Sequence, residues 1–205
     1  MQQDPRGKNK LPQAPDIEEF AHGYFKMLFE ASSKINVANL NEALKVLEGT
    51  INAGQCVYVA GNGGSAAISD HLCCDWTKGT SHHAFKTLKT HSLTASTALI
   101  TALANDQTYD DIFAKQLEYY CTPKDVVILI SSSGNSPNIL KGMAAAKKIG
   151  AKVIGMSGFE GGQLKKGCDI SLHVPESNYG VVEDCHQSLM HILAQFIARG
   201  RDAKK

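Results

Sequence analysis

Two short stretches of this 205-residue chain place small hydroxyl- and amide-bearing residues where a strand should give way to a helix. The first is Gly61-Asn62-Gly63-Gly64-Ser65, entered from Val57-Tyr58-Val59-Ala60; the second is Ser131-Ser132-Ser133-Gly134-Asn135-Ser136, entered from Val126-Val127-Ile128-Leu129-Ile130. Apolar, β-branched runs that end in Gly, Asn and Ser read as strand, tight turn and helix start, with Ser65 at the first helix's cap. Backbone N–H groups at the positive end of such a helix suit an anion, most commonly phosphate. Either stretch alone could merely reverse the chain or cap a helix. Two of them in one sheet, converging on one phosphate, make the stronger reading. The form is not that of a nucleotide loop: Ala66 stands where G-x-G-x-x-G needs its third glycine, and no Gly-Lys-Ser/Thr follows.

Other chemistry-bearing residues fall at helical spacing. His71 and Asp75 are four apart, on one helical face beside the apolar stripe Ile68, Leu72 and Trp76. A plain His–Asp hydrogen bond near the core and a reactive pair fit that pattern equally. Glu183, Gln187 and His191 form a polar line along a helix expected over 180–199, whose opposite face (Cys185, Leu189, Ile192, Leu193, Phe196, Ile197) should be buried. Taken alone the line is a solvated face; it becomes a site where it meets another subunit.

The elements that must hold these residues follow from periodicity. Asp16 can cap a helix with Glu18 and Glu19 in its first turn and Phe20, Tyr24, Met27 and Leu28 at helical spacing; Leu40, Leu44, Leu47 and Ile51 mark a second helix, ended by Gly54. Strands are expected at 91–94, 125–130, 151–157 and 169–174 besides the first, with helices from Ser96, over 110–120 and over 137–149. Alternating strands and helices predict an α/β fold, a three-layer α-β-α sandwich with a parallel sheet of about five strands and ligands at the carboxyl ends. Residues 1–15, with three prolines among polar residues, read as a loose arm, and 16–200 as one domain.

Composition narrows the function classes. With 43% apolar and 20% charged residues the chain can build a sizeable core, and a net charge of +1 without a Lys/Arg block argues against nucleic acid. No apolar run approaches a membrane span and Met1–Lys10 lacks a leader's apolar stretch, so a cytoplasmic protein is expected. The six scattered cysteines, without a C-x-x-C pair, read as buried thiols.

The two loops, the His-x-x-x-Asp after the first, and the terminal Glu-Asp-Cys-His-Gln-Ser-Leu-Met-His-Ile-Leu together resemble the sugar isomerase (SIS) domain of the phosphoheptose isomerase family. The resemblance implies a flavodoxin-like fold with N-terminal helices for oligomerisation, and conversion of sedoheptulose 7-phosphate to D-glycero-D-manno-heptose 7-phosphate through an enediol(ate). It implies phosphate binding by Asn62, Gly63, Ser65, Ser131, Ser133 and Ser136 with Ser132 in support. It also implies zinc held by His71, Asp75, Glu183 and His191, with Asp75 as base and His191 as acid. A homotetramer with active sites between subunits is implied too. This chain departs from the pattern at four places: Asp75 stands for Glu, Glu183 for Gln, Gly79 for an Arg and Gly180 for an Asp. Two further readings accompany the enzyme. One is a non-catalytic phosphosugar-binding or scaffold module. The other is an isomerase of a related seven- or eight-carbon sugar phosphate, touched by Lys78 and the His82-His83 pair.

Overall fold

The structure is a computed structural model that describes residues 10–81 and 86–202. His82 and His83 lie outside the described residues, as does the first part of the expected arm. Two helices come first, α1 (Ile17–Ser33) and α2 (Val37–Ala53), each started by a side-chain cap: Asp16 Oδ1 accepts from Glu19 N–H, and Asn36 Oδ1 from Ala38 and Asn39. Gly54 closes α2 in the left-handed region at φ 71°, which a side chain would resist. Residues just before α1 are fastened, not loose: Lys10 N–H donates to Ser177 O, Asn178 Nδ2 donates to Lys10 O, and Pro12 lies against Gly23.

Strands β1 (Cys56–Gly61), β2 (Lys89–Ser92), β3 (Val126–Ser131), β4 (Lys152–Ser157) and β5 (Ile170–His173) form one parallel sheet in the order β2-β1-β3-β4-β5. The connections are α3 (Gly64–Cys74) with a π-turn at Asp75–Gly79, α4 (Thr97–Asp106), a 3₁₀ turn leading into α5 (Ile112–Tyr120), α6 (Pro137–Ile149) and the short α7 (Gly162–Gly167), which periodicity does not reveal. The last helix is α8 (Tyr179–Asp202). Ser96 caps α4 as expected, accepting from Leu99 N–H.

Alternation along the strands sorts side chains into two cores. Val57, Val59, Ile128, Ile130, Ile154 and Leu172 pack under α1, α2, α3 and α8; Tyr58, Ala60, Val127, Leu129 and Val153 pack under α4 to α7. The sandwich is therefore the three-layer α/β fold that the sequence predicts. Two burial expectations fail. Ile192 and Phe196 stay about half exposed on α8, because nothing among the described residues covers that part of the helix. Of the six cysteines only Cys185 is buried, Cys74 is exposed and all are free thiols.

His186 is fully buried in α8, and neither ring nitrogen has a hydrogen-bond partner. Burial, aided by nearby His173, pushes its imidazole down to about 4 against a weaker pull from the Ser157 backbone. The unfolded chain takes a proton near 6.5 and the native one does not until about 4, so stability falls as pH drops through that window and levels off below it. The slope from this residue is at most roughly 1.4 kcal/mol per pH unit. Denaturant midpoints measured across the window should fall with pH in the parent and flatten in His186→Leu.

Candidate functional site

Both loops form at the carboxyl edge of the sheet, and β1 and β3 are direct neighbours there, paired through Gly61 and Ile130. In the first, Gly63 adopts φ 56°, ψ −122°, and it is Gly63, not Ser65, that holds the cap position of α3. Gly61 admits the turn: a Cβ on it would lie 2.5 Å from Ser65 O. No side chain caps α3, so its positive end stays open to a ligand. Ser65, inside the first turn, is buried and lines the cleft.

In the second loop Gly134 turns back at φ 64°, its N–H bonded to Ser131 O and Oγ. It packs so tightly on Gly161 that a side chain has no room. Ser136 occupies the cap of α6 ahead of Pro137, yet its hydroxyl caps nothing and instead faces Ser131 Oγ at 3.2 Å. Plain capping, one reading of this serine, is thereby removed. Ser133 braces the loop by accepting from Asn135 N–H.

The two loops open on one cleft of about 210 Å³ lined by Asn62, Ser65, Ser131, Ser132, Ser133 and Ser136, with Tyr179 and Glu183 of α8 on its wall. Gly63 shapes the turn without lining it. Asn62 is engaged by an amide pair: its Nδ2 donates to Asn138 Oδ1 at 2.8 Å, Asn138 Nδ2 returns a bond to Asn62 Oδ1 at 2.9 Å, and Tyr109 adds a third at 3.0 Å. Asn138 is buried in the first turn of α6, so the pair ties the start of one helix to the loop before the other. Sequence reasoning missed Asn138, Tyr109 and Tyr179; the Asn62–Asn138 partners are 76 residues apart, and no local pattern links them.

A second cluster lies between α3 and α8. Trp76, buried in the π-turn, donates from Nε1 to Met190 O at 3.0 Å and so clamps the end of α3 to α8. This sets Asp75 beside His191: Oδ2 is 2.8 Å from His191 Nδ1, Oδ1 is 3.5 Å from His71 Nε2, and the two rings meet edge-on at 5.2 Å. Ligand atoms of His71, Asp75 and His191 all fall within 4.8 Å of one another. Glu183 lies elsewhere, its carboxylate over the first residue of α3, where a Cβ on Gly64 would be 2.4 Å from Oε2. Burial first, then neighbouring Asp184, pushes the Glu183 carboxyl upward. The Glu183-Gln187-His191 line is half-buried against α3 of its own chain, not a solvated face.

The chain matches the SIS domain family over residues 22–158. It is 37% identical over 175 residues to the phosphoheptose isomerase of Trichlorobacter lovleyi, covering 83% of this chain and 85% of that one. It is 32% identical over 179 residues to the phosphoheptose isomerase of Syntrophotalea carbinolica, with 86% and 91% covered. Among solved structures, a phosphoheptose isomerase from Neisseria gonorrhoeae superposes with a TM-score of 0.82 at 28% identity, over 89% of this chain and 98% of that one.

Asn138→Ala should cost about 1–3 kcal/mol, because the Asn62 amide loses a buried partner. It should also weaken inorganic phosphate binding as the two helix starts separate. Denaturation together with phosphate titration checks both, and a stable variant with unchanged phosphate affinity would refute the coupling.

Proposed function

We propose, from the premise that the chain belongs to the phosphoheptose isomerase family of SIS-domain proteins, that it is an aldose–ketose isomerase converting sedoheptulose 7-phosphate to D-glycero-D-manno-heptose 7-phosphate. The observation that carries the proposal is the convergence of both loops on one cleft whose wall, α8, continues into the His71–Asp75–His191 cluster. A bare binding module has no use for that cluster, so the enzyme is favoured over the non-catalytic reading.

In this reading the helix starts of α3 and α6, with the hydroxyls of Ser65, Ser131, Ser132, Ser133 and Ser136, grip the phosphate. Asn62 acts by joining the loops, and Gly63 by giving the turn its shape. With one end fixed, the open sugar chain runs along the seam of α3 and α8. Asp75 takes the proton from the carbon beside the carbonyl, and His191 handles the proton on oxygen. Their 2.8 Å contact allows the proton to be exchanged within the pair. Glu183, beside the bound phosphate, is driven further toward its protonated form by the like charge.

Two imidazoles and a carboxylate form a donor set that suits zinc, and His71, Asp75 and His191 are the residues that would hold it. Bound zinc would supply Lewis-acid polarisation of the carbonyl oxygen.

The proposal includes a homotetramer, supported by apolar side chains left uncovered: Ile17, Phe25 and Phe29 on α1, Val37 on α2, and Ile192 and Phe196 on α8. A groove between α2 and α8, lined by Leu40, Leu44 and Leu193, continues this face. A cytoplasmic place belongs to the same proposal, supported by free thiols and by the lack, among the described residues, of a helix long and apolar enough to cross a membrane.

Asp75→Asn and His191→Ala should each lower turnover of sedoheptulose 7-phosphate by about 10²–10⁴-fold while the sugar phosphate still binds. Aldose formation followed by NMR, with binding measured separately, is the check; undiminished turnover in either variant would refute the assignment. Phe196→Glu should shift the protein to smaller species in sedimentation velocity, and an unchanged tetramer would remove this face from the interface.

A further inference from the structure

Among the described residues Phe159 is the one non-glycine with positive φ, at 49°. It sits in the turn that follows β4, closed by Gly161 N–H donating to Gly158 O at 2.7 Å, and of the two central residues only Phe159 has positive φ. That is the pattern of a type II′ turn, whose first central place is normally a glycine's. A bulky side chain there is held against its backbone preference. Such strain persists where the surroundings over-determine it, and it clusters at functional sites.

The surroundings of Phe159 tie the serine loop to the head of α8. On one side Gly158 N–H donates to Ser132 O at 2.8 Å, and Leu164 and Gln163 N–H reach Gly134 O and Asn135 Oδ1 of the same loop. On the other, Phe159 N–H donates to Glu176 O at 2.8 Å, and its half-buried ring lies 4.7 Å from that of Tyr179, the first residue of α8. The hydrogen bonds of residues 158 and 159 belong to the backbone and need no phenyl group. What the phenyl group adds is its contact with Tyr179.

Tyr179 is the aromatic residue lining the cleft, beside the serines, Asn62, Ile130 and Glu183. The face of an aromatic ring carries negative partial charge, so it has little to offer phosphate oxygens and packs instead on apolar groups. Hydroxyls and helix starts suit the phosphate; the ring suits the carbons beside it.

We propose that Tyr179 is a specificity residue that packs on the carbon chain adjoining the phosphate, and that Phe159 is the positioning residue that holds its ring there from a strained turn. The inference deepens the sugar-phosphate reading above and rests on it. Equilibrium dialysis of the full-length protein against sedoheptulose 7-phosphate and, separately, inorganic phosphate is the test, with circular dichroism confirming the fold of each variant. Phe159→Gly gives the turn its preferred residue, keeps both backbone bonds and removes only the ring; Phe159→Asn serves where the glycine variant does not fold. Phe159→Gly and Tyr179→Leu should each weaken sugar-phosphate binding by about two- to tenfold, the worth of one aromatic pair, and leave inorganic phosphate affinity unchanged. The double variant should bind as Tyr179→Leu does, since Phe159 acts through Tyr179. Unchanged sugar-phosphate affinity in either single variant overturns the inference, as do an equal loss for inorganic phosphate, which marks a loosened loop, and losses that multiply in the double variant. Parent protein that does not bind sedoheptulose 7-phosphate overturns it together with the sugar-phosphate reading, and the parent measurement alone tells that case apart.

Discussion

The parallel pairing of β1 with β3 is the constraint on which the site depends. The chain leaves β1 through α3 on one face of the sheet and leaves β3 through α6 on the other. Adjacent strands whose connections diverge in this way open a crevice at their carboxyl ends, and both helices start at its rim with their positive ends inward. Neither helix start would hold a phosphate as firmly alone. The reciprocal amide bonds of Asn62 and Asn138 fix the separation between them, and that separation decides whether two half-sites act as one.

The His71–Asp75–His191 cluster is positioned by a different contact, between α3 and α8. Those helices bury Ile68, Leu72, Leu189 and Leu193, which hold them together without setting their register. Register comes from Trp76, whose indole N–H reaches a carbonyl of α8 from within a π-turn. The wider turn at Asp75–Gly79 lets the indole bury itself while Asp75 remains at the surface of the seam. Single π turns inside helices are frequent at functional sites.

How much of this could be read from residues alone depended on the range of the interaction. Strands announced by continuous β-branched runs, and α6 bounded by Pro137 and Gly150, were legible because propensity and turn chemistry act within a few residues. His71 and Asp75 were legible as a pair because helical spacing is local too. The cap of α3 was misplaced onto Ser65 because a glycine at φ 56° can hold the cap position without any side-chain signal. The π-turn has no compositional signature. Asn138 gains its role only from a partner brought to it by the fold, so its spacing carried no message. Ile192 and Phe196 satisfied a helical apolar pattern, but periodicity reports that a face is apolar and not which residues cover it, and among the described residues none does.

The departures from the family pattern on α8 become intelligible when taken together. Where that pattern has an aspartate, Gly180 leaves room for Tyr24 of α1: a Cβ there would stand 2.8 Å from the phenol oxygen, which donates to Asp184 at 2.6 Å. Burial and Asp184 raise the Tyr24 phenol well above its ordinary range, so it stays a neutral donor and holds α1 to the start of α8. A carboxylate has therefore been lost at 180 and gained at 183, three residues along and on the same helical face. One turn further on, Gln187 stands against the two imidazoles.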